Sequence, residues 1–99
     1  MSKRIFSYEE ATALLPRVQR MTEAAVERVA ELPEGEPEAY QRAVMEWAES
    51  VVELGLEVKG VWLVDFDSGG GYYCWRYPEP ALEYFHGYEE GFSGRVKLN

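Results

Sequence analysis

Cysteine is nearly absent from this sequence. The one residue, Cys74, cannot form an internal disulfide, so no oxidising compartment is demanded. Basic residues are also scarce, with ten Lys and Arg against 18 Asp and Glu and a formal net charge of −8. So few cations cannot neutralise a row of phosphates, which counts against a duplex nucleic-acid binder. No apolar run approaches the roughly 18 residues needed to cross a bilayer, so no membrane span is expected. The opening Met-Ser-Lys-Arg leads into a mixed stretch without the apolar core of a signal peptide. A soluble cytoplasmic protein is the expectation. Histidine occurs once, at His86, and neither Cys-x-x-Cys nor His-x-x-x-His spacing is present, so no ready-made zinc motif is visible.

What is present fits a globular chain: 99 residues, 46% hydrophobic and 28% charged. That length reads as a single domain, 1–99. Composition shifts inside it. Residues 1–60 are rich in Glu and Ala, whereas residues 61–99 hold ten of the fourteen aromatics and six of the nine glycines. The second part is too short to hold a core alone without disulfides or metal. The shift therefore marks a change of secondary structure, from a helical hairpin (1–60) to an aromatic, β-rich subregion (61–99).

Ser7 with Glu10 three residues later is a capping box, and Phe6 with Ala11 suits a hydrophobic staple. Ala11, Leu14, Leu15, Val18, Met21, Ala25, Val29 and Leu32 then recur at helical steps, predicting a helix over about 8–32. Pro16 interrupts the run and predicts a kink. Pro33 and Gly35 end it. Pro37 suits the first turn of a second helix over about 38–54, where Tyr40, Val44, Trp47, Val51 and Leu54 form a heptad seam. Gly55 is the candidate C-cap. The short connector predicts an antiparallel pair.

Val61 to Asp67 reads as a strand, Ser68-Gly69-Gly70-Gly71 as a turn and Tyr72 to Tyr77 as the return strand. Opposite residues should have numbers summing to 139. Trp62, Val64, Phe66, Tyr73, Trp75 and Tyr77 then share a face packed on the helices. Val61, Leu63, Asp65, Asp67, Tyr72, Cys74 and Arg76 lie on the other face, expected to be half exposed with its charges outward. Pro78-Glu79-Pro80 is a further turn. Residues 82–86 are a candidate third strand, read against one helical turn. The expected class is α+β: a helical hairpin packed on a small antiparallel sheet of two to three strands.

Phe6-Ser7 ahead of an Ala-Leu-Leu-Pro helix is followed by Val64-Asp65-Phe66, Cys74-Trp75-Arg76, Glu79-Pro80, His86 and Gly91-Phe92-Ser93-Gly94-Arg95. In this order the chain resembles an uncharacterised bacterial family, domain of unknown function 2203. Pro78 stands where that pattern commonly has Gly, and Phe85 where it commonly has Trp. The resemblance implies a bacterial source and shared architecture, and it brings no activity.

Asp65 is the sharpest single position, because a carboxylate within an aromatic strand needs a partner or water. The plain reading pairs it with Arg76 across the hairpin; the functional reading makes it part of a polar pocket. His86 reads either as a structural histidine bonding a tail carbonyl or as a ligand or acid–base group near Glu79 and Glu83. Cys74 is a small packed residue or, beside Arg76, an activated thiolate. Cys74 and His86 with an Asp or Glu would suit a zinc-like ion, so a divalent metal is the one cofactor considered. Arg76 and Arg95 offer planar forks for an anion or carboxylate, against structural pairing of Arg95 with Glu89 or Glu90.

Two functions follow as expectations. The first is a non-enzymatic interaction protein that forms a homo-oligomer or docks a protein partner, because fourteen aromatics are hard to hide in 99 residues. The alternative is a small-anion or metal-binding domain with Asp65, Cys74, Arg76, Glu79, His86 and Arg95 around one cleft. No nucleophile, base and orienting group stand out together, so an enzyme is disfavoured.

Overall fold

The computed structural model describes residues 4–98. The Met-Ser-Lys start, on which the reading of the N-terminus partly rests, lies outside them. Ser7 caps the first helix, α1 (Tyr8–Ala30). Its Oγ accepts from the Glu10 amide at 3.0 Å, and the Glu10 carboxylate accepts from the Ser7 amide at 2.9 Å. The box closes two otherwise unpaired donors. Pro16 sits inside this helix, which stops at Ala30 and not at 32. The second helix, α2 (Pro37–Glu53), opens on Pro37 as expected. Gly55 follows its C-cap at φ 99°, and a Cβ there would lie 2.7 Å from the Arg4 Cβ, so only glycine fits. The two helices are joined inside the core by Thr22. Its hydroxyl donates to the Val18 carbonyl at 2.8 Å and accepts from the Trp47 indole at 2.8 Å.

Five strands follow: β1 (Glu57–Gly60), β2 (Leu63–Asp67), β3 (Tyr72–Arg76), β4 (Tyr84–His86) and β5 (Val96–Lys97). They form one antiparallel meander in chain order. The α+β class holds, but two to three strands is too few. The extra strands lie at the sheet edges. β1 follows the helix stop at Gly55, where Leu56-Glu57-Val58-Lys59 alternates apolar and polar with the period of a strand. The strand expected from residue 61 is cut short for a related reason. Val61 and Trp62 make a two-residue turn between paired Gly60 and Leu63, with Trp62 in the left-handed region at φ 62°. A bulky residue is unusual there. The Trp62 ring packs edge-on to Trp47 at 4.9 Å, and its carbonyl accepts from the Tyr77 amide at 3.0 Å.

The β2–β3 register is the expected one, from Leu63 opposite Arg76 to Asp67 opposite Tyr72. The glycine turn between them is four residues long. One sheet face packs Val64, Phe66 and Trp75 against Phe6, Leu15, Val18, Trp47 and Val51, all buried. The other face is not turned to solvent as expected. Asp65, Asp67, Tyr72 and Cys74 on it are each less than a tenth exposed. The segment after β4 folds back over them: Tyr88 donates to Asp67 Oδ1 at 2.6 Å and packs its ring 5.0 Å from Tyr72. The molecule therefore has three layers, helices, sheet and tail.

Candidate metal site beneath the tail

Strand register alone brings three chemically distinct donors to the covered face. Asp65 on β2 lies directly opposite Cys74 on β3. Cys74 lies opposite Tyr84 on β4, and His86 two residues further is on the same face. A carboxylate oxygen, the Cys74 thiol and a His86 ring nitrogen all lie within 4.8 Å of one another. The three residues are 1%, 1% and 4% exposed, so the cluster is buried.

Hydrogen bonding orients the histidine. Nδ1 sits 2.9 Å from the Gly87 carbonyl, which can only accept, so Nδ1 carries the proton. Nε2 sits 3.0 Å from Asp65 Oδ2. In the neutral ring that nitrogen is an acceptor facing a carboxylate, which is also an acceptor. A proton or a metal cation between them satisfies both. Asp65 Oδ1 is buried without a hydrogen-bond partner. Burial foremost, then the Asp65 charge, pushes the Cys74 thiol up to about 12, with Arg95 acting in the opposite sense. The thiol is therefore neutral near pH 7.

Lys59 on β1 completes the wall. Its ammonium lies 3.3 Å from Asp65 Oδ2, 3.5 Å from Glu57 Oε1 and 4.0 Å from the centre of the Tyr72 ring. Partial burial works against that charge, but Asp65, Tyr72 and Glu57 together outweigh it and hold the Lys59 pKa above its usual 10.5. Sequence reasoning missed Lys59 because residues 57–60 were not recognised as a strand. The alternation after Gly55 was the available signal.

Of the residues singled out from sequence, Asp65, Cys74 and His86 converge. Arg76 does not join them. It is exposed, its guanidinium lies 5.5 Å from the Phe92 ring, and Asp65 pairs instead with His86 and Lys59. The diagonal pairing failed because the buried side chain had two nearer partners on neighbouring strands. Arg95 pairs with both carboxylate oxygens of Glu79, not with Glu89 or Glu90. It also lies between the Tyr84 and Phe92 rings, at 3.8 and 4.1 Å. One of its nitrogens reaches the Cys74 sulfur at 3.7 Å, so Arg95, not Arg76, is the cation beside the thiol. Glu79 is further held by the Arg76 amide at 2.9 Å. Glu79 and Arg95 thus clasp the tail beside the cluster and are occupied with each other.

A cavity of about 270 Å³ adjoins the cluster, lined by the three donors with Lys59, Leu63, Glu90, Gly91 and Phe92. A wider groove of about 410 Å³ runs between α1 and the Tyr77–Pro80 turn. Its Gln19 is spent on the Glu79 and Pro80 carbonyls, and no donor cluster opens into it among the described residues. The donor cluster opens into the smaller cavity.

The class so defined is an α+β domain with a buried O, N and S donor set under a folded-back tail. The chain belongs to the uncharacterized conserved protein family DUF2203, whose model matches residues 32–98. The match takes in every residue of the cluster. No curated protein and no solved structure gives a significant match.

Proposed function

We propose that this chain is a metal-binding domain holding one zinc-class transition-metal ion on Asp65, Cys74 and His86. The observation that carries the reading is the close approach of His86 Nε2 to Asp65 Oδ2, two acceptors in the tautomer set by Gly87, with a thiol beside them. A ligating histidine commonly donates its other ring proton to a carbonyl, which is the arrangement of Nδ1 and Gly87. Mixed nitrogen, oxygen and sulfur donors suit borderline-soft ions such as zinc and cobalt. Metal–donor bonds of about 2.0–2.3 Å hold tetrahedral donors roughly 3.3–3.7 Å apart, so on loading the widest separation, up to 4.8 Å, closes by about an ångström while the 3.0 Å His86–Asp65 pair opens slightly. Three protein ligands leave a fourth position for water or a small ligand. A reducing compartment such as the cytoplasm would keep Cys74 a thiol.

Elemental analysis of the purified chain tests this. About one ion per chain is expected, removable by a chelator and restored by zinc. Cys74→Ser and His86→Ala should each lose most of it while circular dichroism stays unchanged. Uptake equal in the parent and His86→Ala would refute the assignment.

A second reading, self-association, draws on a separate observation. Met45 and Val52, seven residues apart on α2, are 61% and 52% exposed and share a face. Sedimentation over a concentration series, with Met45→Glu as the control, tests it.

A further inference from the structure

Resting on the metal reading, we propose that the ion's fourth position takes a small monocarboxylate. One carboxylate oxygen binds the metal, the other pairs with the Lys59 ammonium, and the apolar body lies against Leu63 and Phe92.

Direction comes first. All three donors line the same cavity as Lys59, so a ligand completing the coordination sphere from that side meets the ammonium. Charge comes second. On binding a divalent ion Cys74 releases its proton to solvent, so the ion with the Asp65 carboxylate and the resulting thiolate is locally neutral, and the ion takes over the oxygen on which Lys59 now leans. Glu57 remains beside Lys59 but already accepts from the Tyr72 hydroxyl at 3.0 Å. Lys59 keeps Glu57 and takes the incoming anion as a second partner in place of Asp65. Charge on the opposite wall sets the limit. Glu90, whose Oε1 accepts from the Gly87 amide at 3.0 Å, brings one negative charge to the cavity. That selects a monoanion over the dianion of phosphate. Size comes last. A cavity of about 270 Å³ holds a body of a few carbons. Leu63 and Phe92 give that body an apolar surface.

The test strips the full-length protein with chelator, reloads it with Co(II) and follows the visible cobalt bands during titration with butyrate, acetate and inorganic phosphate. Butyrate should shift the bands and bind at least about tenfold more tightly than phosphate. Lys59→Leu removes the ammonium without adding a donor atom and lies on the edge strand β1. It should keep cobalt while weakening butyrate by about tenfold or more. A thermal melt of that variant checks its fold. Cobalt uptake with no butyrate shift, an unchanged butyrate affinity in Lys59→Leu, or phosphate binding as well as butyrate overturns this proposal and leaves the metal site standing. Failure to take up cobalt overturns both.

Discussion

Replacing Arg95 with Ala should loosen the tail without touching the helices. Its side chain is only 11% exposed and that of its partner Glu79 only 19%. The guanidinium makes two bonds to the Glu79 carboxylate and stacks between Tyr84 and Phe92. A hydrogen bond to a charged group contributes about 1.5–3 kcal/mol. A cation over a ring adds about 0.5–1 kcal/mol at a partly exposed site. After substitution Glu79 keeps the Arg76 amide and gains water, which offsets part of the loss. The expected cost is therefore about 2–4 kcal/mol, against a total near 5–15 kcal/mol for a domain of this size. Urea unfolding followed by tryptophan fluorescence measures it. Arg95→Lys restores the charge but not the planar fork, and should recover less than half. Hydrogen exchange separates local from global loss. The Leu98 amide, bonded to the Glu83 carbonyl at 2.6 Å, should exchange early in Arg95→Ala, ahead of the Trp47 indole. Stability of both variants within about 0.5 kcal/mol of the parent would refute the clasp.

Four further outcomes can be measured. Zinc at about 100 times its Kd should add about 2.7 kcal/mol, which at about 4–8 °C per kcal/mol is a rise of roughly 10–20 °C in Tm; His86→Ala should show none. In the metal-free protein the raised Cys74 pKa stabilises the fold fully below the thiol's usual 9.0 and is lost as pH climbs from there to about 12. Unfolding curves across that window should steepen in pH dependence relative to Cys74→Ser, and alkylation of Cys74 at pH 8 should be slow until the protein unfolds. Thr22→Val leaves the buried Trp47 indole N–H unpaired and should cost about 1–3 kcal/mol by urea unfolding, whereas Thr22→Ser should be closer to neutral. Gly71→Ala would place a Cβ 2.4 Å from Phe85 Cζ at a φ of 151°, for an expected loss of about 1–3 kcal/mol in the same assay.

The helices and the central hairpin were legible because each rests on local rules. Ser7 and Glu10 declare a helix start, and Pro37 and Gly55 bracket the second helix. Three glycines after Ser68 set the loop that fixes the β2–β3 register. The short strands were less legible. β5 is two residues with both side chains exposed, so it carries no hydrophobic pattern. β1 hides behind the α2 seam, since Val58 continues the heptad spacing past Gly55. Trp62 was misassigned because αL geometry at a bulky residue is set by packing on Trp47, and no local propensity announces it. At the candidate site, the residue types were visible but their partners were not. Asp65 and Cys74 follow from the hairpin register, yet His86 joins them only through the β3–β4 pairing. The tail that covers all three is glycine-rich and without periodicity, so its docking rests on specific contacts such as Glu79–Arg95 and Asp67–Tyr88 that no local pattern announces.

Sheet and tail divide the work of the site. The donors stand on three adjacent strands, so their separations are set by backbone hydrogen bonds and not by loop conformation. Burial has a different origin. The residues that cover the face, Tyr88, Phe92 and Arg95, all lie beyond β4, and two of them are fastened by side-chain hydrogen bonds, Tyr88 to Asp67 by one and Arg95 to Glu79 by two. The Arg95→Ala chain should therefore keep its three donors in place while admitting water to them. Metal affinity in that variant should fall less than in His86→Ala, while exchange of the bound ion with a chromogenic chelator should become faster. Equal exchange rates in parent and Arg95→Ala would mean that the tail merely covers the cluster and does not control access to it.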